Sequence, residues 1–430
     1  MKEGKLFEQF PPVTTEEWKD KIRNDLKGDD FDKKLVWKSG QGLEIKPFYR
    51  AEDIDNLIYI NSLPGEFPYI RGKKRANNNW CIRQNIEVKD YSQGNRKALD
   101  VLMKGVDSLG FIISDPESII DDNFKILLRD IRFESIEINF QSNGKAKEIL
   151  AILIKTANEG GLDLSHIRGA IEADPLGRLM LNGTLCIPEE AGFDYLASLT
   201  ESSSVLPNLR TIHLSASNFN NAGADIVQEL AFAISMGSEY LAQLTGRGMN
   251  AGYAASKIRF SFGTGSGYFP EIAKLRAARL LWSTVLSGFL PGSSEGSVMD
   301  IHSVTTRRNK TIKDPYVNML RTQTEAMSAI LGGADSLTVE PFDIVFRQPD
   351  EFSERIARNQ QLILKEESYF DKVSDPSAGS YYIENLTRQI AENAWKLFVE
   401  TEEQGGFLSA LKSGFILAKL SESETKHKTE

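Results

Sequence analysis

The sequence predicts an α/β protein built as one (β/α)8 TIM barrel with an N-terminal extension, and three observations carry that expectation. From residue 80 onward, short β-prone runs alternate with longer helical ones, as βα units around a parallel sheet require. Eight such runs occur over about 290 residues, the count and span of a (β/α)8 barrel. No Gly-rich dinucleotide fingerprint follows the first run, which disfavours a doubly wound open sheet.

Ahead of the barrel, residues 1–50 are charged and Trp-bearing, with helical patches such as EEWKDKIRNDL, and read as a docking arm. Residues 51–79 form an irregular lead-in containing LPGEFPYIRG. Strands are expected at 80–88, 111–114, 135–140, 166–173, 211–216, 257–262, 300–305 and 336–340. Helices are expected between them, including ALDVLMKGVDSLG, KAKEILAILIKTAN and IVQELAFAISMG. The helix after the seventh strand is expected to open at Asp314-Pro315, a cap residue followed by proline. The barrel is expected to run over 80–405, closing with a DPSAGS turn and a helix near 383–403, and to be followed by a polar tail over 406–430.

In a barrel each strand turns one face to the helices and the other to the interior. Alternation places Arg83, Asn85, Glu87, Glu137, Asn139, Arg168 and Glu172 inside. On the later strands it adds Thr211, His213, Ser215, Arg259, Ser261, Thr338 and Glu340. Ordinary barrels fill this space with Val, Ile and Leu. Two readings fit so polar a lining: a passage for a long, thin, polar ligand, or a salt-bridged plug, since an unpaired buried charge costs several kcal/mol. At the fifth strand end, Ser215, Ser217, Asn218 and Asn220 form a polar cluster without an acid, base or metal ligand.

A net charge of −9 without a basic stripe argues against nucleic-acid binding. No run of about 18 uncharged apolar residues exists, so no transmembrane helix is expected. The N-terminus lacks the apolar stretch of a secretory signal. Cys81 and Cys186 are expected to be reduced, and the His residues at 166, 213, 302 and 427 lack metal-site spacing. A cytoplasmic protein is expected. His213 and His302, within strands, are expected to be hydrogen-bonded core residues.

Six blocks resemble the barrel domain of methylmalonyl-CoA mutases: LPGEFPYIRG, WCIRQ, EIAKLRAARLLW, DPYVNMLRTQTEAMSAILGGADSLTV, SERIARNQQLILKEES and DPSAGSYYIE. The resemblance runs from about residue 60 to 403. FPPVTTEEWKDKIRNDLKG and LVWKSGQGLEIKPFYRAED look like the small, or β, subunit of heterodimeric bacterial mutases. The resemblance implies a partner, the large subunit. In that catalytic chain the pantetheine arm of an acyl-CoA threads a barrel lined with small polar residues. A C-terminal flavodoxin-like domain there presents adenosylcobalamin for the radical interconversion of methylmalonyl-CoA and succinyl-CoA, a step of propionate metabolism. The small chain is implied to support its partner without catalysing and to bind no cofactor itself.

This sequence departs from the catalytic pattern where chemistry would sit. Arg75 stands where a Tyr precedes the Trp-x-Ile-Arg-Gln motif by five residues. Asn218 replaces the His that contacts the thioester oxygen. On the seventh strand Val304 replaces a Gln, and Arg307-Arg308 replace Gly-Trp. On the eighth, Thr338 replaces a His. Arg178 is a poor counterpart for the carboxylate-binding Arg. The cobalamin signature Asp-x-His-x-x-Gly is absent, and the sequence stops at SESETKHKTE, where small chains continue into a degenerate cobalamin-like domain. That end reads either as a truncation or as a barrel-only chain. The expected function is thus a non-catalytic small subunit with a plugged lumen. The alternatives are a catalytic acyl-CoA mutase barrel served by a separate cobalamin-binding subunit, and a hydrolase using Glu137 and Glu340. Arg307 and Arg308 fit either a solvated loop or a contact to a partner or a CoA phosphate.

Overall fold

The computed structural model describes residues 10–290 and 298–429, without the side chains beyond 424. Residues 1–9 of the expected docking arm and the His427 side chain lie outside that description. The arm carries helices α1 (Thr15–Asp25) and α2 (Phe31–Leu35), then a two-stranded ribbon of β1 (Trp37–Lys38) and β2 (Glu44–Ile45). Thr14 caps α1, accepting from Glu17 N while Glu17 accepts from Thr14 N, a reciprocal cap.

The barrel strands are β3 (Cys81–Val88), β4 (Ser108–Ile113), β5 (Glu137–Gln141), β6 (Arg168–Ala173), β7 (Leu209–Leu214), β8 (Ile258–Thr264), β9 (Asp300–Thr305) and β10 (Ser336–Thr338). They are parallel and close in the order β10-β3-β4-β5-β6-β7-β8-β9. Between β3 and β7 lie α3 (Tyr91–Met103), α4 (Asp121–Leu127), α5 (Ala146–Glu159), α6 (Pro175–Asn182) and α7 (Glu189–Ser202). After β7 come α8 (Ser217–Asn221), α9 (Ile226–Gly246), α10 (Ala251–Ser256), α11 (Tyr268–Phe289), α12 (Val317–Leu331), α13 (Glu351–Glu366), α14 (Tyr381–Glu403), α15 (Phe407–Lys412) and α16 (Phe415–Thr429). The (β/α)8 barrel expected from the sequence is therefore the fold. Its main core is the sleeve between strands and helices, where Ile82, Ile86, Phe111, Ile138, Phe140, Ile212, Phe260 and Leu337 are buried.

Four local differences from the sequence reading have physical causes. Strand β4 begins at Ser108, three residues early, because Ser108 and Gly110 face the lumen and hide the run. In β7 the N–H groups of Thr211 and Ile212 both donate to Lys257 O, at 3.1 Å each. That doubling is a β-bulge, and the ladder to β6 shifts register beside it. Thr211, expected inside, therefore points outward to hydrogen-bond Thr200 of α7 at 2.9 Å, and Arg210 enters the lumen in its place. Helix α12 starts at Val317 rather than at Asp314-Pro315, since Asp314 has a left-handed φ of +50°. The segment expected as a polar tail folds back as α15 and α16. Phe407, Ala410, Ile416 and Leu420 are buried, and the Phe407 ring meets Phe219 edge-on at 6.1 Å.

The lead-in forms a small core of its own from Leu57, Tyr59 and Ile70, and brings Lys73 and Lys74 to the N-terminal end of the barrel. Lys73 lies 3.2 Å from both Asp300 and Asp335, at the starts of β9 and β10.

Candidate functional site

Alternation along β3 and β6 aims Arg83 and Glu172 into the lumen from strands three places apart. They meet there at 2.7 Å, with side chains 3% and 5% exposed. The space for this crossing comes from Gly110 of β4: a Cβ there would lie 2.1 Å from Asn85 Oδ1 and 2.8 Å from Arg83 Nε. Arg83 Nε also donates to Asn85 Oδ1. A second crossing runs from β8 to β5, where Arg259 donates to Glu137 at 2.9 Å and to Asn139 at 2.8 Å. Its Nε donates to Asp300 on the neighbouring β9 at 2.5 Å. Lys73 and Arg210 add 3.2 Å and 3.4 Å contacts to Asp300. Low dielectric strengthens each attraction, and each removed partner would leave a buried charge uncompensated.

Ionisation follows this geometry. Burial works against the Glu172 carboxylate, yet the neighbouring His213 and Arg83 hold it at about 2. Burial pushes His213 down to about 4, so at neutral pH Arg83 is the cation that matters. His302 is also depressed well below its ordinary value by burial and by Arg83. It hydrogen-bonds Ser336 at 2.8 Å and Thr338 at 3.3 Å, and the two imidazoles stand 6.4 Å apart. Burial opposes ionisation of Asp300, but Arg259, Lys73 and Arg210 keep it well below the carboxylate range.

Two cavities open above the crossings, at the C-terminal ends of the strands. One, about 540 Å³, is lined by Gln141, Glu172, Asp174, His213, Ser215 and Asn218 with the α6 segment. The other, about 370 Å³, lies between β3, β10 and α13 and includes Thr338, Glu340 and Arg307. Asn218 thus lines the first and Thr338 the second, while Val304 is half-buried on β9 beside Thr338. Arg75 does not join them: it is exposed on the lead-in loop, donating to Gly65 O at 3.4 Å. Arg178 lines the first cavity with its Nη2 2.9 Å from Cys186 Sγ. Asn220 is buried, donating to Glu229 and accepting from Thr306.

Several expected lumen charges lie outside the crossings. Arg168 has the inward parity but sits at the first position of β6, exposed, donating to Ser135 O at 3.3 Å. Glu87 is exposed near the other end and pairs with Lys89. Glu340 pairs with Arg307 at 2.7 Å across the loops, so it does not face Glu137 and the two form no acid–base pair. Sequence reasoning missed Asp300, Arg210 and Lys73. The parity of β9 offers Asp300, but the bulge conceals Arg210, and Lys73 comes from 227 residues away.

No group of three or more potential metal ligands occurs among the described residues. His213 and His302 are enclosed in the lumen, whereas His166 is exposed in the short turn before β6.

A parallel eight-stranded barrel with cavities at its C-terminal mouth is the architecture of a (β/α)8 enzyme, here with buried ion pairs spanning the axis. The chain belongs to the methylmalonyl-CoA mutase family, whose model, "Methylmalonyl-CoA mutase", matches residues 38–122 and 117–430. It is 44% identical to the methylmalonyl-CoA mutase small subunit of Porphyromonas gingivalis, over 98% of this chain and 68% of that protein. It is 36% identical to methylmalonyl-CoA mutase of Cereibacter sphaeroides, over 95% of this chain and 61% of the relative. With the mitochondrial mutase of Mus musculus it shares 32% identity over 95% of this chain and 58% of the relative. The chain thus spans about two thirds of the first relative's length and less of the others.

Proposed function

We propose that this chain is the small, non-catalytic subunit of a cytoplasmic two-chain methylmalonyl-CoA mutase. Its large partner binds adenosylcobalamin and interconverts methylmalonyl-CoA and succinyl-CoA. The observation that supports this reading best is the pair of crossings, Arg83–Glu172 and Arg259–Glu137, which occupy the axis an acyl-CoA arm would need. Opening that axis would leave four charges without their partners, so substrate binding cannot supply a passage cheaply. The mouth adds no free acid or base at Asn218, Val304 or Thr338, the positions that differ from the catalytic pattern. Exposed Phe10, Trp18, Trp37, Ile58, Leu63 and Phe67 on the arm and lead-in offer an apolar surface for the large subunit.

The test is turnover of methylmalonyl-CoA with adenosylcobalamin, by this chain alone and after mixing with the large subunit from the same genome. Inactivity alone, with co-elution and activity on mixing, is expected. Turnover by the isolated chain would overturn the proposal.

A further inference from the structure

Behind the exit of β8, helices α9 and α11 enclose more negative than positive charge. Lys274 of α11 lies 2.7 Å from Glu229 of α9 and 2.6 Å from Glu271 of its own helix, and no side chain of the three is more than 3% exposed. Two carboxylates thus share one ammonium out of reach of water.

The hydrogen bonds show which carboxylate is surplus. Glu229 Oε1 accepts from Gly263 N at 2.6 Å, and its Oε2 accepts from Lys274 at 2.7 Å and from Asn220 Nδ2 at 3.3 Å. Lys274 also donates to Gly263 O at 2.5 Å. Glu271 Oε1 accepts from Gly265 N at 2.8 Å, but its buried Oε2, although beside Lys274, makes no hydrogen bond among the described residues. Neighbouring charges do not supply a second cation. Lys310, after β9, bonds both carboxylate oxygens of Glu325 on α12, a closed pair. Arg276 of α11 is held by Asp375 and Glu384. Glu229 and Glu271 stand in the first turns of α9 and α11, whose dipoles favour a carboxylate by less than an uncompensated buried ion costs. Burial pushes Glu229 up to about 7 against the pull of Lys274, and Glu271 adds to the rise. Burial also opposes the charge of Lys274, but the two carboxylates hold it above its ordinary value, so the lysine keeps its proton.

We propose that Glu229, Lys274 and Glu271 form a proton-linked clasp on the barrel mouth, which binds one proton as pH falls through neutrality and then holds the β8 exit more tightly. The clasp grips that exit through the backbone of Gly263 and Gly265. It reaches the exit of β9 through Thr306 Oγ1, which donates to Asn220 Oδ1 at 2.6 Å. With the proton bound, the cluster is neutral. Without it, Glu229 and Glu271 carry like charges around one ammonium, and opening the β8 exit to water relieves the repulsion. The proton belongs to the cluster rather than to one carboxylate. The clasp calls on no partner and no substrate, so it stands apart from the proposed subunit role.

The experiment combines infrared spectra and amide hydrogen exchange of the full chain. Between about pH 6 and pH 9, where ordinary carboxylates are ionised, a carbonyl band of a protonated carboxylic acid should disappear. That band should be missing from Glu271→Gln and retained in Glu325→Gln. The folded value lies above the ordinary 4.5, so the stabilisation is full below 4.5 and is lost as pH rises through about 7. Protection of the Gly263 and Gly265 amides, corrected for intrinsic exchange, should therefore fall by up to roughly tenfold per pH unit towards neutrality and level off above it. Ile138 and Phe140 of β5 serve as the reference. No band lost from the wild type over that range, a band that survives Glu271→Gln, or protection at Gly263 and Gly265 that parallels β5 would each overturn the proposal; the wild-type spectra and exchange decide it even if a variant fails to fold.

Discussion

Replacing Arg83 by Met removes the cation from a pair whose side chains are 3% and 5% exposed, leaving Glu172 in the lumen with a neutral His213. Removing one partner of a buried ion pair costs about 3–5 kcal/mol. Against burial, His213 and Arg83 together hold Glu172 at about 2 rather than an ordinary 4.5. Because the folded value lies below the unfolded one, the contribution is full above pH 4.5 and disappears as pH falls through about 2. Glu172→Leu should cost about as much, by stranding Arg83. The double variant, with two apolar side chains of similar volume, should recover most of the loss. Urea unfolding at pH 7, followed by circular dichroism and Trp fluorescence, completes the cycle. If each single variant costs under about 1 kcal/mol, as solvated pairs do, the lumen is hydrated and the argument for a closed axis fails.

Gly110→Ala should lower stability by roughly 1–3 kcal/mol through overpacking, because the new methyl meets Asn85 and Arg83; an unchanged thermal midpoint would mean that Arg83 does not fill that space. His213 is held at about 4 against an ordinary 6.5, so its neutral form stabilises the fold above pH 6.5 and that contribution is lost as pH falls through about 4. Between pH 7 and pH 4.5 the wild type should therefore lose roughly 2 kcal/mol relative to His213→Gln. The groups facing it are Glu172, Arg83, Arg259 and Asp300, and parallel stability–pH curves for the two proteins would show that the imidazole is not enclosed.

How much of this could be read from the sequence depends on how local each feature is. The eight strands and the inward parity of Arg83, Glu137, Asn139, Glu172 and Arg259 follow from alternation, because a sleeve of helices demands an apolar outer face on every strand. Parity gives direction and no depth, so Arg168 and Glu87, inward by count, end at the two rims in solvent. It also presumes an unbroken ladder: one extra residue at Thr211–Ile212 exchanges Thr211 for Arg210 inside. The C-terminal hairpin is legible in part: Phe407, Ala410, Ile416 and Leu420 lie in an apolar run whose only charges are Lys412 and Lys419, and the charged end from Ser421 onward masks it. The approach of Lys73 to Asp300 and the orphaned nitrogen of His213 depend on the assembled barrel, and no short window of sequence contains them.

The two axial crossings also bear on how the barrel opens and closes in time. Arg83 and Glu172 are 89 residues apart, Arg259 and Glu137 are 122 apart, and each pair joins strands three places apart. No single βα unit, nor any adjacent two, can form either pair, so each pair forms only after four consecutive strands have assembled. Contacts of such long range are made late, and interactions absent from the transition state act on the unfolding rate more than on the folding rate. The charges on the axis therefore work as a kinetic latch: severing one should shorten the lifetime of the closed barrel while barely slowing its assembly.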